Sequence, residues 1–550
     1  MKKTSKRHLT KAAPSALAGV AMVAPATPVA RSAKLSAIQA LALPLCFTAI
    51  LAGFTMLPRV QGNDRLYRSF VGAALFLLIW SAILFVSAMR SKRTFTLEIV
   101  LKKQHYLQAC LQLVLILYWG WYWRQVYDSA YLIAAQLVFA YAFDILLSWS
   151  RRDAYSLGFG QFPVIFSITL FFWFKEDWFY FQFLLVAVGF AAKEMLHWNK
   201  DGRSTHIFNP SSFTLALFSI ALIVSDRSDM TWGFLVANTE FYPPHMYIVL
   251  FLIGLPGQYL FGVTTMTMSA IVTTCLFSLG YFAVTGSYFF FDSYIPIAVF
   301  LGMHLLFTDP STAPRTELAR VMFGVLYGLS TIALYDILLR AGMPGYYDKL
   351  LQVPLLNLSI QFLDRLAQSP MLRRFDPARL GQSLSITKRR IAYMSIWAVI
   401  FSGMTVAGVV DDKHPGQWLP FWQKACAQGA PHACENLSFL EEGFCLDGSG
   451  WACNEYAILQ TRSGGSREAA RELLQRACSM GFYAGCQNGP LLENGAELLR
   501  APPRLVDFPF ILRGSKGPIQ ARDPATLYAL ACEQGWPDTC DMARNMPINR

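Results

Sequence analysis

Charge is scarce in this 550-residue chain: 15% of its residues are Asp, Glu, Lys or Arg, whereas 54% are hydrophobic. That scarcity excludes a disordered or wholly soluble protein. Also missing are any C-x-x-C pair, a C-x-x-C-H haem attachment, a phosphate loop, a zincin helix and a nucleophile elbow. Zinc ribbons, c-type haem, P-loop nucleotide hydrolysis and the commonest hydrolase sites are thereby set aside. The first 34 residues carry seven basic side chains and no acidic one.

Apolar runs of the length needed to cross a hydrocarbon core recur through the first 410 residues. Spans are expected near 35–57, 70–89, 106–123, 131–149, 162–174, 178–198, 211–225, 245–262, 267–285, 292–308, 319–340, 347–366 and 391–410. The predicted fold class is therefore all-α, a polytopic bundle of 13 spans set in a lipid bilayer. The formal charge is +12, but it divides unevenly. Residues 411–550 hold 13 basic and 16 acidic side chains, and residues 1–410 hold 34 and 19. No basic patch is interleaved with aromatics in a soluble segment, so nucleic acid is not an expected partner. With a cytoplasmic N-terminus, 26 of those 34 basic residues fall on inside segments, the arrangement favoured in cell membranes. The weakest span, 347–366, contains Pro354 and a polar face; were it only to lie on the surface, the C-terminus would reverse sides.

Three of the 11 cysteines, Cys46, Cys110 and Cys275, are scattered within spans. The other eight form four pairs of one spacing: Cys426 with Cys434, Cys445 with Cys453, Cys478 with Cys486, and Cys532 with Cys540. Each pair reads C-x2-G-x4-C. A helix ending before a glycine that takes the left-handed cap, then turning into a second helix, sets such thiols face to face. Each disulfide would contribute on the order of 2–3 kcal/mol. Zinc-type Cys/His spacings are absent, so no metal site is expected. Disulfides imply an oxidising compartment, in keeping with an extracytoplasmic C-terminus.

Residues 425–434, 477–486 and 531–540 resemble the cysteine-rich Sel1-like repeats, αα-hairpin solenoids related to tetratricopeptide repeats. Over about 415–550 the resemblance implies a solenoid that recruits a protein partner rather than a catalytic module. The first cysteines lie at irregular separations, and 487–524 is Pro-rich and poorly matched.

Ionisable residues within spans are candidates for function. Asp144, Lys193 and Glu194 are the intramembrane ones here. Two polar hinges stand out further. Asp201 to Ser212 packs Arg203, His206 and Asn209 beside Pro210, and Thr308 to Pro314 sets Asp309 before Pro310. A helix N-terminus with Arg203 could hold an anion, although plain capping by Asn, Ser and Asp would look similar.

Gly202-Arg-Ser-Thr-His-Ile-Phe-Asn-Pro210 and Phe307-Thr-Asp-Pro-Ser-Thr-Ala-Pro314 resemble the paired signatures of the family containing the RnfD and NqrB membrane subunits of electron-transport complexes. Lys193 to Pro210 is similar to the enediyne-biosynthesis-type members, and Leu355 to Arg365 resembles the family's last helix. The resemblance covers about residues 130–366 through short motifs. It implies an inner-membrane electron-transport-type protein with a flavin (FMN or riboflavin) or quinone-like group held near Arg203, His206, Asn209, Pro210, Thr308 and Asp309. Arg203 would neutralise the group, while Asn209 and Asp309 would orient it. The Ser-Gly-Ala-Thr motif that carries covalent flavin is missing, and the cluster Thr264, Thr265 and Thr267 lacks its flanking residues. Any flavin is therefore expected to be non-covalent, and no catalytic residue is assigned.

An internal echo, Asp144-Ile-Leu-Leu-Ser-Trp149 leading to Pro163 and Glu194-Met-Leu-His-Trp198 leading to Pro210, suggests a duplicated unit with a site at its interface. A haem would need facing histidines from His197, His206, His245 and His304, yet no helix carries a paired spacing. A transporter with Asp144, Lys193 and Glu194 along its path, or a scaffold acting through the repeats, are the alternatives. The chain thus divides into a basic cytoplasmic tail (1–34), a bundle (35–366), a basic cytoplasmic linker (367–390), a final span (391–410) and an extracytoplasmic repeat domain (411–550).

Overall fold

The computed structural model describes residues 29–91, 93–200, 203–380, 382–514, 517–518 and 523–545, so most of the expected basic tail lies outside the described residues. The chain is mostly helical, in a membrane-type bundle followed by a run of short, disulfide-linked helices.

The count of 13 spans is corrected. Five described helices are long and apolar enough to cross a membrane: Ala37–Met56, Asp64–Ser91, Ala130–Arg152, Thr264–Thr285 and Glu317–Arg340. Elsewhere the helices are shorter or more polar: Phe179–Met195 stops at 17 residues, and Ile386–Val406, over most of the expected final span, opens with Lys388, Arg389 and Arg390. Gln161–Thr169 has nine residues, Pro210–Ser225 and Met246–Phe261 have 16 each, and Ile297–Leu301 passes into a π-helical turn, Gly302–Leu306. At 1.5 Å per residue, a 16-residue helix spans about 24 Å, short of a hydrocarbon core about 30 Å thick. Lys103–Tyr122 carries Gln104, His105, Gln108 and Gln112, and Gln352–Ala367 is amphipathic, with Asn357 and Ile360 buried but Leu355 and Phe362 exposed.

Short strands accompany the predominantly helical architecture that the sequence predicts. Val29–Leu35, at the end of the expected tail and reaching one residue past it, pairs antiparallel with Phe95–Leu101, which pairs in parallel with Ala154–Leu157. His197–Lys200 and Arg203–His206 form a hairpin that sets His197 opposite His206. These segments link helices, and strand pairing satisfies backbone groups that no helix covers.

The tightest helix crossing shows how small residues shape the bundle. A methyl group on Gly324 would overlap the Ser269 hydroxyl and the Met266 carbonyl, and one on Gly328 would lie 2.9 Å from the Ala270 carbonyl oxygen. Glu317–Arg340 therefore meets Thr264–Thr285 almost backbone to backbone.

Helix ends fall into two groups. In one, Arg152 meets Glu194 at 2.8 Å, Arg93 meets Asp153 at 3.2 Å, and Arg390 donates to the Tyr259 carbonyl at 3.0 Å. In the other, Arg59 meets Asp128 at 3.2 Å, Asn63 donates to Asp177 at 2.8 Å, and the Tyr118 hydroxyl donates to the Pro244 carbonyl at 2.7 Å.

The cysteine-stapled module attaches to this second group. Asp412 accepts the His245 N–H at 2.7 and 2.8 Å, His414 lies between Tyr288 (4.1 Å) and Tyr294 (5.1 Å), and Phe291 stacks on Trp422. The four expected cysteine pairs are all disulfides. Cys426 bonds to Cys434, Cys445 to Cys453, Cys478 to Cys486 and Cys532 to Cys540, with Cα atoms 4.6–4.7 Å apart. The second cysteine of each pair lies in the opening turn of the following helix: Cys434 in Ala433–Asp447, Cys453 in Gly450–Arg462, Cys486 in Tyr483–Glu493 and Cys540 in Thr539–Asn545. Gly429, Gly448, Gly481 and Gly535 each take positive φ between the stapled helices, the conformation that the repeated spacing predicts.

Candidate functional site

The two hinges meet. His206 closes the hairpin, and its Nε2 lies 3.2 Å from Asp309 Oδ2, with the two side chains 19% and 21% exposed. Asp309 also caps the turn Pro310–Thr312, accepting the Ser311 N–H at 2.9 Å. Burial pushes the Asp309 carboxyl up, but the His206 contact and that N–H outweigh it and hold the group below its usual value.

Asn209 fastens the hinges from inside. Its Oδ1 accepts the Ser211 and Ser212 N–H groups at the start of Pro210–Ser225, and its Nδ2 donates to the Leu306 carbonyl at 2.9 Å. Asn357 bridges both hinges, accepting the Asn209 N–H at 3.3 Å and donating to the Thr312 carbonyl at 3.3 Å. Both polar ends of the Asn209 side chain are thus engaged by protein. Asn209 and Asp309 both line the cleft that adjoins the hinges.

Beside this junction opens a polar cleft of about 540 Å³, within the range that small-molecule sites occupy. Its lining includes Asp144, Lys193, Glu194, His206, Asn209, Pro210 and Asp309. Asp144 accepts a hydrogen bond from Gln161 at 2.9 Å, and Glu194 pairs with Arg152. Both halves of the internal echo therefore deliver an acidic residue and a helix start to one cavity. Lys193 lies 5.4 Å from the Phe190 ring and has no carboxylate partner among the described residues.

One expected residue stands apart. Thr308 is buried and donates to the His304 carbonyl at 2.9 Å; it lines a narrow crevice next to the cleft, with His304. Arg203 pairs through its backbone with Lys200, and its side chain lies outside what is described.

Sequence reasoning missed Lys102, His105, Gln108, Arg152 and Asn357. Lys102 and His105 lie at a helix start, where a charged flank is unremarkable; Asn357 required knowing which helix packs across the hinges. Glycines admit the linking strands: a methyl on Gly158 would meet the Val100 carbonyl at 2.5 Å.

No group of three or more His, Cys, Asp or Glu side chains is placed to hold a metal ion among the described residues. Of the histidines considered for haem, His304 is buried with Nδ1 2.8 Å from the Phe300 carbonyl. Thr265 donates to Glu317 at 2.8 Å, a link between helices. No family model, curated protein or solved structure matches this chain.

Proposed function

We propose that the chain is an inner-membrane electron-transport-type protein whose cleft binds a flavin or quinone-like group without covalent attachment. The observation that carries this reading is the meeting of His206 and Asp309 beside a cavity whose lining also includes Lys102, His105 and Lys193. Lys102 and Lys193 have no carboxylate partners among the described residues, which suits a phosphorylated or reduced, anionic guest. Gln108, Ser156 and Ser211 line the same cleft and supply hydrogen-bonding groups for a ring edge. A bound flavin would supply one- and two-electron chemistry; the protein's part is to hold its charge and fix its position.

The same reading has a cytoplasmic N-terminus and an extracytoplasmic stapled module that recruits a partner protein. In its support, the basic clusters around Arg93, Arg152 and Arg390 belong to one group of helix ends, and the disulfide module attaches to the other.

The spectrum of detergent-purified protein tests the proposal. Flavin absorbance released by denaturation, and reduced in Lys193→Ala, is expected; a preparation lacking both flavin absorbance and quinone reactivity overturns it. Because Asp144, Lys193 and Glu194 line one cavity, a transporter is the second reading. Substrate uptake abolished by Asp144→Asn, with no redox signal, selects that one.

A further inference from the structure

Between helix Tyr483–Glu493 and the turn at Phe508–Ile511, residues 496–504 run without regular secondary structure. Such a connection usually leaves its backbone to solvent or to its own turns. Here the side chains of two stapled helices take hold of it. Asn488 accepts the Leu499 N–H at 2.6 Å and donates to the Leu499 carbonyl at 2.8 Å. Asn454 adds a second donor to that carbonyl at 3.3 Å, and Asn488 and Asn454 are tied to each other at 2.8 Å. Two residues on, the Trp451 indole N–H donates to the Ala501 carbonyl at 2.9 Å.

This grip ignores the side chain of Leu499, which is 45% exposed, and reads those on either side. Leu498 packs on the cluster of Ala457, Ala470, Leu474 and Leu492. Arg500 reaches Glu455, whose side chain is 4% exposed, at 3.4 Å. Backbone held by amides, with neighbouring side chains sorted by an apolar pocket and an acidic one, is how an extended peptide is recognised. Glu441, 2% exposed and within electrostatic reach of Glu455, keeps one carboxylate oxygen without a hydrogen-bond partner.

We propose that Trp451, Asn454, Glu455 and Asn488 form a binding groove for an extended Leu-x-Arg segment of a partner protein, and that residues 498–501 occupy it as a displaceable internal ligand. The inference does not depend on what the membrane cleft binds. It assigns the stapled module a partner chemistry: an unfolded segment with an apolar residue two positions before a basic one.

The test uses the full chain in detergent and a fluorescent peptide copying residues 496–502, Ala-Glu-Leu-Leu-Arg-Ala-Pro. The double variant Leu498→Ala with Arg500→Ala weakens the internal ligand, so it should bind the peptide at least about tenfold more tightly than the unsubstituted protein. The reason is that a tethered competitor acts at an effective concentration of about millimolar. A control peptide with Ala at the positions matching Leu498 and Arg500 should not bind. Equal or undetectable binding by both proteins overturns the proposal. Should the double variant fail to fold, hydrogen exchange on the unsubstituted protein decides. Excess peptide should speed exchange of the Leu499 amide, and unchanged protection overturns the proposal.

Discussion

His206 Nε2 and Asp309 Oδ2 are separated by 103 positions in the chain and by 3.2 Å in the fold. Asn209 reinforces this junction by capping one helix and binding the Leu306 carbonyl of another segment. Asn209→Ala removes the cap and leaves a buried carbonyl without its donor, a loss of about 2–3 kcal/mol. Thermal unfolding in detergent should register it, together with any loss of bound chromophore. Asp309→Asn should lower the melting temperature less than Asn209→Ala, because the amide keeps the shape and its oxygen can still accept the Ser311 N–H. Unchanged melting in Asn209→Ala would show that the hinges are held some other way.

The crossing at Gly324 leaves no space for a side chain. Gly324→Leu should separate Glu317–Arg340 from Thr264–Thr285 and cost at least about 3 kcal/mol. Gly280→Leu, where nothing lies within 4 Å, serves as the control. The measurement is the yield of monodisperse protein and its melting temperature. Equal behaviour of the two variants contradicts the close crossing.

Glu441 sets a pH dependence in the stapled module. Burial pushes its carboxyl well above the usual 4.5, the Glu455 charge adds to this, and Arg500 offsets part of it. The native module therefore retains a proton that the unfolded chain releases near pH 4.5. Its contribution is fully present below that pH and is lost as pH rises through the native value. Glu441→Gln should raise the melting temperature at pH 8 and flatten the slope above pH 5, both read by calorimetry. A variant less stable than the parent at pH 8 is incompatible with this account.

His414 acts in the opposite direction. Buried between Tyr288 and Tyr294, it is lowered by burial from 6.5 to about 3. The native state keeps the ring neutral, whereas the unfolded chain takes up a proton below 6.5. Stability from this contact is therefore whole above pH 6.5 and declines as pH falls towards 3. Acidification should loosen the module from the 288–294 segment, seen as a change in Trp422 fluorescence, and His414→Gln should remove the dependence. An unaltered acid transition in that variant places the cause elsewhere.

What could be read from the chain alone followed the range of the interactions. The cysteine pairs are local, and one spacing repeated four times, each with a glycine at the turn, specifies a stapled helical hairpin without knowledge of anything distant. The hinges and the ionisable residues are legible as polar positions in an apolar setting, which singles out His206, Asn209, Asp309, Asp144, Lys193 and Glu194, and all six line one cleft. Span number was not legible, because hydropathy counts apolar residues without seeing that Gly302–Leu306 unwinds into a π turn or that Gln161–Thr169 stops after nine residues. Val29–Leu35 carries no alternation, and Phe95–Leu101 alternates only from Phe95 to Ile99 between two apolar helices, so their pairing is what defines them. Asn357 was invisible for a related reason: its role exists only once Gln352–Ala367 packs across both hinges.

The stretch from Tyr288 to Leu306 is pinned at both extremities. Ring packing against His414 secures its beginning, and the Asn209 amide clasps its last carbonyl. It is in effect a strut, and a pull on the cysteine-stapled module loads the same short length of chain whose far tip frames the polar cavity.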